Sequence, residues 1–161
     1  MNDLTRKASE LMPHGPNPES DARKRAIVSC LDQRFGISRH KHENRPDWYF
    51  LRGGGSEVFI TDSKAHYDQR PWFDMDESDI NELAQNSAAF VIFILGESDS
   101  FLVIPANRLL DELQNYVTDR RQIKRGRYYF NLNKNFKPYF KQLPAFDLHP
   151  FKGNLELIQS R

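Results

Sequence analysis

The chain has 161 residues, about one domain's worth, and 39% of them are hydrophobic, 12% aromatic and 28% charged. This content is enough to close one core and argues against disorder throughout. The longest apolar run, 88–95, is far shorter than the roughly 18–20 residues of a membrane helix. The first twenty residues show no secretory signal, and the single cysteine, Cys30, allows no internal disulfide. We therefore expect a soluble, cytoplasmic protein without a membrane segment.

The net charge is only +1, but the charges are unevenly distributed. Residues 1–100 contain 12 basic and 17 acidic side chains, whereas residues 101–161 contain 11 and 5. An acidic region beside a basic one would suit a protein that gathers cations in one place and phosphates in another. Ordinary surface charge that happens to segregate would give the same counts.

The hydrophobic pattern predicts one α/β domain over 19–161, preceded by an N-terminal arm over 1–18. The predicted helices cover 20–35, 79–84 and 107–116, and Gly36 ends the first of them. The predicted strands cover 48–51, 58–60, 72–75, 89–95, 101–104 and 128–132. The first two form a hairpin around a glycine turn, and the uninterrupted apolar run of the fourth indicates burial on both faces. This order predicts a mixed, partly antiparallel sheet flanked by helices.

The most informative motif spans the predicted hairpin, with Pro46-Asp47 at its start and Asp62-Ser63-Lys64 at its end. This placement would bring two carboxylates and an ammonium group together. Two carboxylates can hold Mg²⁺, which lowers the pKa of a bound water and stabilises charge that grows on a phosphate. A neighbouring lysine can orient that water or neutralise the phosphate. An exposed Asp and Lys that simply close a hairpin are the alternative.

This motif resembles that of the PD-(D/E)XK nuclease superfamily, which includes many restriction enzymes and repair nucleases, over roughly 20–104. The resemblance implies a restriction-endonuclease-like fold in which a helix, a three-stranded meander, a second helix and a further strand follow one another. It implies Asp47 and Asp62 as metal carboxylates, Lys64 as the catalytic lysine and Glu57 as a further metal ligand. The superfamily usually carries its lysine triplet inside an apolar strand, whereas Asp62 follows the apolar residues, so a degenerate or recognition-only relative is the alternative. Duplex cleavage by such an enzyme usually needs two active sites, so the resemblance also implies a homodimer or a partner subunit.

A second, broader resemblance covers 72–113. A Trp-Phe strand, a helix, a buried strand that ends in glycine, and Phe-Leu-Val-Ile-Pro before a helix look like domains of restriction and other phage-defence proteins. This likeness implies an antiviral-defence setting. The same residues are also ordinary core residues of an α/β domain.

Basic side chains cluster towards the C-terminus and are candidates for contact with DNA. Lysines or arginines that neutralise phosphates release counterions and give salt-dependent affinity, and interleaved aromatic residues suit a stacking surface. The glycines after Arg52 could bring the backbone close to a phosphate, or could merely form the hairpin turn. The candidate DNA contacts are Arg52, Arg120, Arg121, Lys124, Arg125, Arg127, Lys134, Lys137 and Lys141.

Three functional hypotheses follow from these features. The first is a DNA-binding protein of a restriction or phage-defence system that hydrolyses DNA with Mg²⁺. The second is a DNA-recognition module without catalysis. The third is a protein-interaction domain that does not bind nucleic acid. A short cluster, His40-Lys41-His42-Glu43, also offers metal ligands, but no matching cluster accompanies it elsewhere in the sequence.

Overall fold

The computed structural model describes residues 18–42, 45–52, 55–62, 72–95, 101–116, 126–133 and 139–159. The α-helices are α1 (Pro18–Phe35), α2 (Glu77–Leu83), α3 (Ala106–Tyr116) and α4 (Glu156–Gln159), and a 3₁₀ turn covers His149–Phe151. The strands are β1 (Ile37–His42), β2 (Arg45–Leu51), β3 (Glu57–Asp62), β4 (Trp72–Asp76), β5 (Ala89–Ile94), β6 (Phe101–Pro105), β7 (Arg127–Asn133) and β8 (Tyr139–Phe140). The predicted mixed α/β class is confirmed. Within these ranges, no helix is both long and apolar enough to cross a membrane.

Five strands form the main sheet, in the order β1-β2-β3-β5-β6. Strands β1 to β3 are an antiparallel meander, β5 lies parallel to β3, and β6 is antiparallel to β5. A parallel neighbour requires a crossover connection, and the crossover from β3 to β5 contains α2. Every residue of β5 is buried, as its uninterrupted apolar sequence predicted.

A hydrophobic core lies on each face of the main sheet. Side chains of β3 alternate between them, so Val58 and Ile60 pack towards α1 and α4, whereas Phe59 packs against the opposite core. The α1 face contains Ile27, Leu31, Leu51, Val58, Ile60, Phe90, Ile92, Ile94, Val103, Leu155 and Ile158. The opposite face is covered by α2, α3 and the small sheet of β4, β7 and β8. The main sheet is therefore the middle of three layers.

Helix α1 ends at the glycine that the sequence indicated. Gly36 has a φ of +72°, which L side chains rarely adopt, and its N–H donates to the carbonyl of Asp32. The Asp32 side chain accepts the N–H of Ile37 at 2.8 Å. This turn leads the chain directly from α1 into β1, the edge of the main sheet.

The structure differs from the sequence prediction in three places. Strand β4 belongs to a separate three-stranded sheet, so the described residues form two sheets where one was predicted. Strand β1 forms in a polar stretch with no predicted strand, because an edge strand pairs through its backbone and needs no apolar run. The C-terminal tail has no clear period, yet it buries Phe140, Phe146 and Leu148 in the core. The predicted N-terminal arm lies almost entirely outside the described residues.

Candidate functional site

The hairpin brings the two predicted carboxylates to the same face of the main sheet. Trp48 pairs with Phe59, and continuing that register places Asp47 opposite Ile60. Asp62 lies two residues beyond Ile60, so its side chain points to the same face. Both carboxylates therefore lie beneath α1, at the end of the hairpin away from the glycine turn.

Asp62 is bound by an arginine of α1. Nη2 of Arg23 lies 3.1 Å and 3.3 Å from the two carboxylate oxygens of Asp62. The Arg23 side chain is 15% exposed and that of Asp62 is 3% exposed. A carboxylate this deeply buried is tolerated because a cation lies against it.

Asp47 is bound by the next residue of α1. Nζ of Lys24 lies 3.1 Å from Oδ2 of Asp47, and these side chains are 27% and 36% exposed. Consecutive helical residues point about 100° apart, so Arg23 reaches β3 while Lys24 reaches β2. The pair of Lys24 with Asp47 is the more exposed of the two ion pairs and is therefore the weaker.

Glu57 does not join this group. It lies five positions before Asp62, and an odd spacing along a strand puts two side chains on opposite faces. Its Oε2 accepts a hydrogen bond from Nδ2 of Asn86 at 2.9 Å, and the same nitrogen donates to the carbonyl of Gly55. The main sheet thus separates Glu57 from Asp47 and Asp62.

Tyr49 follows Asp47 on the α1 face of β2. Burial, and secondarily the negative charge of Asp47, raise the pKa of the Tyr49 phenol to about 12. The phenol is therefore protonated at neutral pH and supplies a hydroxyl group beside the carboxylates, not a base.

The structure places three of the predicted DNA contacts. Arg52 is exposed just after β2, and its N–H donates to the carbonyl of Gly36. Lys141 is exposed in the tail. The Arg127 side chain is paired with two carboxylates. The catalytic candidate Lys64 lies outside the described residues. So do the remaining candidate DNA contacts, Arg120, Arg121, Lys124, Arg125, Lys134 and Lys137.

Arg127 contributes to the small sheet. Its Nη1 lies 2.6 Å from Oδ2 of Asp74, and its Nε lies 2.7 Å from Oδ1 of Asp76. The hydrogen bond with Asp76 and the charge of Asp74 raise the pKa of the guanidinium, although burial opposes them. Register explains the contact, because Asp76 is the cross-strand partner of Arg127. Two carboxylates already balance this arginine, which weakens its case as a phosphate contact.

Several charged residues of the site were not predicted from the sequence. Arg23 and Lys24 are among them, although the run Arg23-Lys24-Arg25 on a helix that flanks the hairpin was a visible signal. Arg45 was not predicted either, but it lies outside this site: its guanidinium lies 2.9 Å from Asp79 of α2, and 5.2 Å from the ring centroid of Trp48. Burial, the largest cause, raises the pKa of Asp79 despite the attraction of Arg45.

The described residues do not fit Mg²⁺ as they are arranged. Asp47 and Asp62 offer the oxygen ligands that this cation prefers, but Arg23 contacts both oxygens of Asp62, and Lys24 contacts Oδ2 of Asp47, so each carboxylate charge is already balanced. Within the described ranges, no group of three or more His, Cys, Asp or Glu side chains could hold a metal ion. A divalent cation at this place would compete with both basic side chains for the two carboxylates.

Comparison with known proteins gives no family for this chain. No protein-family model, curated protein or solved structure matches it. The relationship to PD-(D/E)XK nucleases therefore stays a prediction, and the function has to follow from the chemistry of the site itself.

Proposed function

We propose that this chain binds DNA and recognises it without cleaving it, as a recognition-only relative of the restriction-endonuclease-like proteins in a restriction or phage-defence system. The observation that carries this proposal is the pairing of Arg23 with Asp62 and of Lys24 with Asp47. Two bare carboxylates would repel a phosphate unless a metal ion bridged them. With a cation on each, the face beneath α1 no longer repels a nucleic-acid backbone.

The order of elements supports the relationship. Helix α1, the meander β1 to β3, a crossover that contains β4 and α2, and β5 parallel to β3 follow one another along the chain. The resemblance to PD-(D/E)XK proteins implies a helix, a three-stranded meander, a helix and a further strand. Here β1 completes the meander, whereas the strand predicted at 72–75 belongs to the small sheet. The motif residues Asp47 and Asp62 lie together at one end of the hairpin.

Mg²⁺-dependent hydrolysis of DNA is the second candidate function. It is favoured by the position of Asp47 and Asp62 on one face of the hairpin, with Lys64 two residues further along the sequence. In it, the metal ion competes with Arg23 and Lys24 for the two carboxylates. Nuclease action also implies two copies of the site, from a homodimer or a partner subunit.

Plasmid DNA separates the two functions. The protein is incubated with supercoiled plasmid at low salt in Mg²⁺, in Mn²⁺ and in EDTA, beside the variants Asp62→Ala and Lys64→Ala. Recognition without cleavage predicts DNA that is retarded on a gel yet intact under all three conditions, by the wild-type protein and by Lys64→Ala. Because Asp62→Ala removes a buried charge, circular dichroism must first show that this variant is folded.

Nicking or cutting that requires the metal and is abolished in both variants would overturn recognition without cleavage and establish hydrolysis. A wild-type protein that neither retards nor cuts DNA at low salt would contradict both, and would leave a protein-interaction domain. Retardation that disappears as salt rises is the expected signature of phosphate contacts.

A further inference from the structure

Helix α1 is anchored unevenly along its length. Its apolar contacts with the main sheet begin at Ile27, which is buried together with Leu31, and Phe35 packs against the same core. Near its C-terminal end, Arg34 pairs with Glu156 of α4. The second half of α1 is therefore held by apolar packing and by an ion pair with another helix.

The N-terminal part of α1, residues 18–26, is held differently. Its described side chains are two alanines and three basic residues, and none of them belongs to either hydrophobic core. Arg23 pairs with Asp62 on β3. Lys24 pairs with Asp47 on β2. Among the described side chains, charge takes the place of apolar packing in this part of the helix.

Buried donors act against these two ion pairs. Nε of Arg23, and Nε and Nη2 of Arg25, are buried, and among the described residues they have no hydrogen-bond acceptor. A buried donor without an acceptor costs free energy because it has lost its bond to water. If the N-terminal part left the sheet, water would reach these nitrogens and remove that cost. The N-terminal part of α1 is therefore closer to local opening than the half that begins at Ile27.

We propose that the N-terminal part of α1 is a latch, which unwinds locally while residues 27–35 stay in place, and which the ion pairs with Asp47 and Asp62 hold closed. Such local opening costs less free energy than global unfolding because it exposes little apolar surface. It releases Arg23 and Lys24 from the two carboxylates, so one motion offers two cations to an anionic ligand. The latch goes beyond the proposed function and does not depend on it, because a protein that binds no DNA would still open in this way.

Amide hydrogen exchange, resolved residue by residue by NMR, tests the latch. The N–H groups of 22–25 bond to the carbonyls of 18–21 within the helix, so they exchange when the latch unwinds. The N–H groups of 29–34 exchange only when the rest of α1 opens. In the wild-type protein, 22–25 is expected to exchange at least about tenfold faster than 29–34.

Two variants and a control identify what holds the latch closed. Asp62→Asn weakens an ion pair that exists only in the closed latch, and is expected to speed exchange at 22–25 at least about tenfold. Asp47→Asn weakens the more exposed pair, and is expected to speed it about two- to fivefold. Glu156→Gln removes the ion pair with Arg34, which survives opening of the latch, so it should leave exchange at 22–25 unchanged.

Two results would overturn the latch. Equal exchange at 22–25 and 29–34 in the wild-type protein would show that α1 opens as one unit. Faster exchange at 22–25 that neither Asp47→Asn nor Asp62→Asn alters would show ordinary fraying of a helix end that the ion pairs do not control. If Asp62→Asn does not fold, Asp47→Asn and the wild-type protein in about 0.5 M NaCl must each exchange faster at 22–25, because salt weakens the same pairs.

Discussion

Replacing Arg23 with alanine is expected to lower the free energy of unfolding by about 3–5 kcal/mol. The substitution removes the guanidinium from the Asp62 carboxylate, whose side chain is 3% exposed, and a buried carboxylate that loses a paired cation is costly. Urea denaturation followed by circular dichroism measures the effect.

Lys24→Ala is the matched control, because it removes the neighbouring cation from the more exposed Asp47. It is expected to cost less than about 1 kcal/mol. The double variant Arg23→Met with Asp62→Leu is expected to regain much of the stability that Arg23→Ala forfeits, because neither charge then remains buried. If Arg23→Ala and Lys24→Ala lowered the free energy of unfolding equally, that result would contradict the deeper burial of the Arg23–Asp62 pair.

Phe93→Ala is expected to destabilise the protein by about 3–5 kcal/mol, because it opens a cavity where the two sheets meet. Phe93 is fully buried on β5, and its ring lies 5.1 Å from that of Phe73 and 5.7 Å from that of Phe130, centroid to centroid. It lies 5.1 Å from Phe140 of β8 as well. Thermal or urea unfolding measures the decrease in stability.

Phe151→Ala is the control for this cavity, since Phe151 is only partly buried at the margin of the same core, 5.5 Å from Phe146. We expect Phe151→Ala to lower the free energy of unfolding by less than half as much as Phe93→Ala. A decrease below about 1 kcal/mol for Phe93→Ala would show that the small sheet does not pack on the main sheet through this cluster.

The elements that bury apolar faces could be predicted from the sequence. The stripe of α1, the alternation in the hairpin and the apolar run of β5 each appear in the structure at nearly the predicted bounds. Strand β1 and the second sheet could not be predicted, because strand pairing depends on partners distant in sequence. The composition of Trp72–Asp76 would suit a strand in either sheet. Only its pairing with β7 determines that it belongs to the small sheet.

The candidate site was predictable in part. A hairpin with Asp47 at one end and Asp62 at the other places both carboxylates together once the register is known. The separation of Glu57 follows from the odd spacing to Asp62 and was available from the sequence. The contacts of Arg23 and Lys24 were not, because they depend on how α1 lies across β2 and β3.

The most direct test is the affinity of the wild-type protein and of Asp47→Asn for a labelled DNA duplex in EDTA. If Lys24 serves to neutralise Asp47, the wild-type protein binds without metal, and Asp47→Asn binds about fivefold more tightly because it frees one positive charge for phosphate. Lys24→Ala, which removes the same cation, should bind more weakly. Binding that requires Mg²⁺ and is abolished in Asp47→Asn would contradict recognition without metal and would assign the two carboxylates to a metal ion.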